Sequence, residues 1–182
     1  SVLTGKYPVR VGITNFIPGN AAGKLADVPY FHQLPRTERT VAQALKEGGY
    51  QTWHVGKWHL GEEGREPQDF GFEVNIGGCD WGAPRDGYFS PWNIPALPEG
   101  NFEGEYLTDH LTDCAMDLIR ERDVDRPFFI HYAHYAVHTP IQAPADLVEK
   151  YRAKAERLGL TKQRTFVSGG KHACLHKKDL DL

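Results

Sequence analysis

The chain has 182 residues, and its 21 lysines and arginines against 24 aspartates and glutamates give a formal net charge of −3. This balance argues against nucleic acid as the main partner, because neutralising phosphates requires a basic face. Hydrophobic residues make up 40% of the sequence and aromatic residues 12%, which is enough for a packed core. No apolar run approaches the ~20 residues of a membrane-spanning helix, so we expect no membrane span.

The compartment and the oligomeric state are not identified by the sequence. Residues 1–5 lack the basic and apolar regions of a signal peptide, and Ser1 stands where a methionine would open a gene product. We therefore expect a chain that has been processed or belongs to a longer protein. The three cysteines (Cys79, Cys114 and Cys174) are odd in number and widely spaced, so they predict no disulfide framework.

Helices and strands alternate along the predicted chain. A helix capped by Thr37 or Thr40 should end at Gly48-Gly49, and an aromatic, β-branched strand should follow over residues 50–55. Glycines and prolines then concentrate in residues 61–104, which predicts a long irregular loop whose aromatic side chains are packed.

The second half of the chain repeats the alternation. Apolar residues at spacings of three and four predict a helix over residues 106–122, and a nearly continuous apolar run predicts a strand over 127–133, covered on both faces. Pro144 should lie in the first turn of a helix that carries Leu147, Val148 and Tyr151 inward. This order indicates an α/β fold with a mostly parallel sheet, in which ligands bind beyond the carboxyl ends of strands.

Three candidate sites are weak. The segment 19–24 resembles a phosphate loop, but its glycines are too closely spaced and no Ser or Thr follows the lysine. His131 and His134 should point to opposite faces of their strand, which disfavours a metal site shared with His138. The tail holding His172, Cys174 and His176 is better explained as a solvated terminus.

Lys57 and His59 are stronger candidates, because they directly follow the first predicted strand. A lysine supplies a fixed positive charge, and a histidine supplies a donor or a transferable proton, so the pair can bind one anion. A glycine turn with a chance basic pair is the alternative interpretation. His138 lies just beyond the second strand, at the corresponding place for a site.

The segment 49–61 resembles the second signature of the sulfatase family, Gly-Tyr-x-Thr-x-x-x-Gly-Lys-Trp-His, at every defining position. Residues 1–8 resemble the end of the family's first signature, 68–72 its Gly-Phe segment, and 128–140 its strand and His-x-Pro turn. The resemblance extends from residue 1 to about residue 150.

This resemblance implies an alkaline-phosphatase-like α/β/α sandwich, incomplete in this chain. It also implies hydrolysis of sulfate esters by a formylglycine beside a divalent cation, usually Ca2+. Lys57 matches the lysine that contacts the sulfate, His59 a histidine of the same cluster, and His138 a histidine near the leaving oxygen. The resemblance implies a sulfated carbohydrate as the substrate. It also implies a periplasmic or secreted location.

We expect residues 1–182 to be part of a sulfatase catalytic domain, with a long irregular loop at 61–104 and a poorly defined tail at 164–182. The nucleophile should precede Ser1, and no metal ligand of the family aligns within the chain, so the chain alone should be inactive. Two alternatives remain open. One is a phosphodiesterase or phosphonate hydrolase of the same superfamily, and the other is a non-catalytic, degenerate relative.

Overall fold

Three parallel strands form the sheet. In the computed structural model, which describes residues 1–19, 24 and 28–162, β1 (Gln51–Gly56) lies between β2 (Val74–Ile76) and β3 (Phe128–Ala133). All six residues of β1 are buried, as its aromatic and β-branched composition predicts. The predicted α/β class and the parallel sheet are confirmed.

β3 differs from its prediction, because its residues are only half-buried and Tyr132 is 37% exposed. Among the described residues β3 is an edge strand, paired with β1 alone, and an edge strand is covered less than a central one. β2 was not predicted, because three residues within the glycine-rich segment carry too little periodicity to be recognised.

The predicted helices α2 (Val41–Glu47) and α3 (Leu107–Glu121) are present. The hydroxyl oxygen of Thr40 accepts a hydrogen bond from the Gln43 N–H, and the Gln43 side chain accepts one from the Thr40 N–H. This capping box fixes the start of α2 at the position that the sequence indicates. A four-residue helix, α1 (Pro8–Val11), was not predicted.

Contacts divide the chain into two compact units, Ser1–Pro140 and a second one that begins at Ile141. The second unit contains α4 (Ala145–Arg157), with Pro144 as the residue before its first turn. The expectation that Leu147, Val148 and Tyr151 point inward is wrong, since no residue of α4 is buried. A helix buries a face only against another element, and the described part of this unit adds only a short 3-10 helix, Leu160–Lys162.

Two clusters of buried side chains form the core of the first unit. One contains Leu107 and Leu111 of α3 together with Tyr88, Trp92 and Ile94 of the irregular segment. The other packs α2 against Leu3, Trp58, Phe70 and Phe72. Residues 61–104, all of them described, contain a 3-10 helix (Pro67–Phe70) and β2 as regular elements. Four of their aromatic side chains (Phe70, Phe72, Tyr88 and Trp92) are buried, whereas Phe102 is exposed.

Among the described residues, no helix is both long and apolar enough to cross a bilayer. The predicted tail at 164–182, with His172, Cys174 and His176, lies outside the described residues, as do residues 20–23 of the segment that resembles a phosphate loop.

Candidate functional site

The turn that carries Lys57 is fixed by the backbone of β3. Gly56 has a positive φ of 98°, and a Cβ atom at this position would overlap the Ala133 carbonyl oxygen. The same oxygen accepts a hydrogen bond of 2.7 Å from the Lys57 N–H. The side chain of Lys57 is half-buried, and burial lowers the pKa of its ammonium group.

His59 is held by the segment after β2. It has a positive φ of 54°, and its N–H donates a 2.9 Å hydrogen bond to the Cys79 carbonyl. Gly82 lies against the imidazole so closely that a Cβ atom on it would be 2.6 Å from His59 Cε1. The ring also borders a cavity of about 380 Å³ lined by residues 13–17. A glycine at position 82 therefore leaves the space that this ring occupies.

His138 follows β3 on a turn that Tyr88 holds in place. The His138 N–H donates to the Tyr135 carbonyl over 3.0 Å. The buried hydroxyl of Tyr88 donates to the carbonyls of Tyr135 and His138, at 2.8 and 2.9 Å. Tyr88 thus joins the irregular segment to the backbone of His138, while the His138 side chain stays exposed.

The charges of Lys57 and His138 both act on the pKa of His59. Burial lowers the pKa of His59 most, and the positive charges of Lys57 and His138 lower it further. A hydrogen bond to the Ile17 backbone and the negative charge of Asp80 oppose this shift. An imidazole beside a lysine and a second histidine, at the carboxyl ends of β1 and β3, can bind and polarise an oxyanion.

His54 is buried in the protein interior. The buried ring lies with Nδ1 2.9 Å from His131 Nδ1 and Nε2 2.9 Å from the Gly56 carbonyl oxygen, and it packs edge-on against Phe72. Burial and, secondarily, the charge of His131 lower the pKa of His54 to about 3, so the ring is neutral. In that state Nε2–H donates to Gly56, and Nδ1 accepts from His131.

No group of three or more His, Cys, Asp or Glu side chains in the described residues is arranged to hold a metal ion. His131 lies in the strand beside His54, and the His134 ring packs on Tyr132 at 4.3 Å between centroids. The described residues therefore do not fit a divalent cation.

Asp80, Gly82 and Tyr88 act on or contact the predicted residues but were not predicted themselves. They belong to the glycine- and proline-rich segment, where neither periodicity nor spacing indicates which side chain points toward a site. The aromatic content of the segment predicted only that it would be packed.

Comparisons with known proteins identify the family. The family model described as Sulfatase matches residues 1–166. The chain is 31% identical over 165 residues to arylsulfatase J of Mus musculus, an alignment that covers 83% of the chain and 26% of that relative. It is 32% identical over 162 residues to N-acetylgalactosamine-6-sulfatase of Homo sapiens, which covers 79% of the chain and 30% of the relative.

Among solved structures, Ps i-CgsB in complex with k-i-k-neocarrahexaose superposes with a TM-score of 0.63 at 24% identity, covering 84% of this chain and 36% of that one. This likeness supports the fold. The chain thus spans about a quarter to a third of the length of the curated relatives it matches.

Proposed function

The chain belongs to the sulfatase family, and from that premise we propose that it supplies part of the active site of a sulfuric ester hydrolase. The observation that supports this proposal is that Lys57 follows β1 and His138 follows β3, its parallel neighbour, and that both charges act on the pKa of His59. Each of the three matches a position in a family motif, and a lysine with two histidines is a set of side chains suited to an oxyanion.

In this proposal Lys57 binds an oxygen of the sulfuryl group. Negative charge on that group and on the leaving oxygen must be stabilised as the S–O bond breaks, and a preorganised ammonium group does so without rearrangement. Its half-buried position supports the role, because electrostatic interactions strengthen when water is excluded.

His138 is proposed to donate a proton to the ester oxygen that leaves, which then departs as the alcohol. Its exposed ring on a held backbone supports this role, because a proton donor must reach the substrate. His59 is proposed to bind the sulfate as a hydrogen-bond donor beside Lys57.

The family's formylglycine and its divalent cation, usually Ca2+, belong to the proposal for the full-length protein. When bound, such a cation stabilises negative charge on the substrate and the nucleophile. The printed sequence contains no Cys-x-Pro-Ser-Arg motif, and the described residues do not fit a cation. We therefore assign neither group to residues of this chain.

A sulfated carbohydrate is the proposed substrate class. The relative named N-acetylgalactosamine-6-sulfatase supports this choice. A phosphodiesterase or phosphonate hydrolase is not favoured, because the matched family and these relatives are sulfatases by name.

The test compares ester classes in the full-length protein that contains this chain. We expect 4-nitrocatechol sulfate to be hydrolysed with a far higher kcat/KM than bis(4-nitrophenyl) phosphate or a phenylphosphonate ester. Faster turnover of either phosphorus ester would reject the sulfatase assignment. A folded protein that hydrolyses none of them would instead favour the non-catalytic relative.

A further inference from the structure

The loop of residues 78–85 forms one wall beside His59. The Cys79 carbonyl accepts the His59 N–H, and Gly82 lies directly against the imidazole. The carboxylate of Asp80 also acts on the pKa of His59, in the direction that raises it. The backbone of this loop therefore lies against His59, one of the residues proposed to bind the sulfate.

Arg85 is the cationic side chain of this wall, and two neighbours hold it. Its guanidinium carbon lies 4.3 Å from the centroid of the Trp81 ring, in a cation–π contact. Its Nη2 lies 3.6 Å from Asp80 Oδ2. The guanidinium is thus oriented before any ligand arrives, which reduces the entropy that binding would cost.

Most of the hydrogen-bonding capacity of Arg85 remains directed to solvent. The side chain is 61% exposed, and 3.6 Å exceeds the ~2.7–2.9 Å of a charge-assisted hydrogen bond, so Asp80 does not engage the fork in a bidentate pair. A planar fork with five donors matches the oxygens of a carboxylate or a sulfate.

We propose that Arg85, oriented by Trp81, is an outer subsite for a second negatively charged group on the sugar substrate, either a carboxylate or a second sulfate. This inference rests on the proposed function, since it concerns the substrate of the same site. In this proposal the site at Lys57 binds the sulfate ester that is cleaved, and Arg85 binds the second anion, which remains on the sugar product.

A purely structural role for Arg85 makes a different prediction. Exposed ion pairs contribute little to folding, so the loss of this one should leave the preference among substrates unchanged. If Arg85 is a subsite, its replacement should lower kcat/KM only for substrates that carry the second anion, mainly by raising KM.

The experiment measures kcat/KM of the full-length protein for three sugar esters. They are a monosulfated hexose glycoside, its uronic acid counterpart with a carboxylate, and its disulfated counterpart. For the wild type we expect a preference for one or both of the doubly charged esters, weakening as salt is raised. In Arg85→Gln the ratio of doubly to singly charged kcat/KM should fall roughly tenfold, and Arg85→Lys should restore part of it.

Arg120→Gln is the matched control, because Arg120 is similarly exposed (66%) and pairs with Asp117 on α3. Its ratio of doubly to singly charged kcat/KM should equal that of the wild type. In Arg85→Gln, the ratio of doubly to singly charged kcat/KM should fall more for one of the two doubly charged esters. That ester shows whether Arg85 binds a carboxylate or a second sulfate. A wild type that hydrolyses the monosulfated ester without preferring a second anion, or an Arg85→Gln protein with an unchanged ratio, overturns the subsite alone. Failure of the wild type to hydrolyse any sulfate ester overturns the proposed function with it.

Discussion

Lys57 carries the proposed contact with the sulfate, so its replacement gives the most direct prediction at the scale of single residues. Lys57→Ala in the full-length protein should lower turnover by ~10²–10³, the usual loss for one preorganised donor. The melting temperature should barely change, because a half-buried lysine contributes little to the core. Lys57→Arg should not rescue fully, since a planar fork poorly replaces a compact ammonium group.

Turnover and melting temperature should be measured on the same preparations. Lys46→Ala, which alters an exposed lysine in the last turn of α2, is the matched control. Unchanged turnover in folded Lys57→Ala protein would remove this residue from the site.

Tyr88 gives a second prediction at this scale, because its hydroxyl binds the backbone that carries His138. Tyr88→Phe keeps the buried ring but loosens the His138 turn, at a cost of about 1 kcal/mol. If His138 protonates the leaving oxygen, the loss of kcat/KM should grow as the leaving phenol becomes less acidic. A series of aryl sulfates measures that dependence.

Tyr132→Phe is the control for this series, since it also removes a hydroxyl contact, the one to Thr112 Oγ1. If Tyr88→Phe lowers kcat/KM by the same factor for all leaving groups, Tyr88 does not act through His138.

At the scale of elements, the start of α2 depends on Thr40. Its hydroxyl takes part in the capping box and also donates to the Phe70 carbonyl, and the residue is 2% exposed. Thr40→Ala should lower the free energy of unfolding by about 1–2 kcal/mol, because it removes the cap and leaves a buried carbonyl without its donor. Urea unfolding measures this loss, and Thr40→Ser, which keeps the hydroxyl, should recover most of it.

The burial of His54 in β1 predicts that the protein loses stability in acid. In the unfolded chain His54 binds a proton as the pH falls through 6.5, whereas in the folded protein burial lowers its pKa to about 3. Stability is therefore full above pH 6.5 and decreases as the pH falls toward 3. His54 alone should lower the free energy of unfolding by roughly 1 kcal/mol at pH 5.5.

Urea unfolding of the full-length protein between pH 7.5 and 5.5 tests this prediction. His54→Gln should flatten the pH dependence even if it lowers stability at every pH. Parallel curves for the variant and the wild type would mean that His54 is not the titrating group. Burial also lowers the pKa of His131, so part of the slope should persist in the variant.

At the scale of the whole molecule, the 182 residues alone should not hydrolyse sulfate esters. The printed sequence lacks the Cys-x-Pro-Ser-Arg motif from which the family makes its nucleophile. An assay with 4-nitrocatechol sulfate, with the purified chain and the full-length protein in parallel, measures this. Sulfatase activity that stays with the purified chain through two different chromatography steps would contradict this expectation.

The sequence predicted the parts of the molecule that local patterns determine. Apolar spacing and a capping residue were sufficient for α2 and α3, and the long motif around Lys57 identified the site segment. The partners Tyr88 and Gly82 could not be predicted, because their positions result from tertiary packing of an irregular segment. The burial of α4 was predicted wrongly, since periodicity shows which face is apolar but not whether another element covers it.

The hydroxyl of Tyr88 has a consequence for protein engineering. Residues 79–88 would be the natural segment to exchange when redirecting this scaffold to a new substrate, because they include Arg85 and border His59. The same exchange would replace the side chain that anchors the His138 turn and the glycine that accommodates the His59 ring. A graft designed for selectivity alone would therefore disturb the proposed catalytic geometry, and graft libraries should hold Gly82 and Tyr88 constant while varying the residues between them.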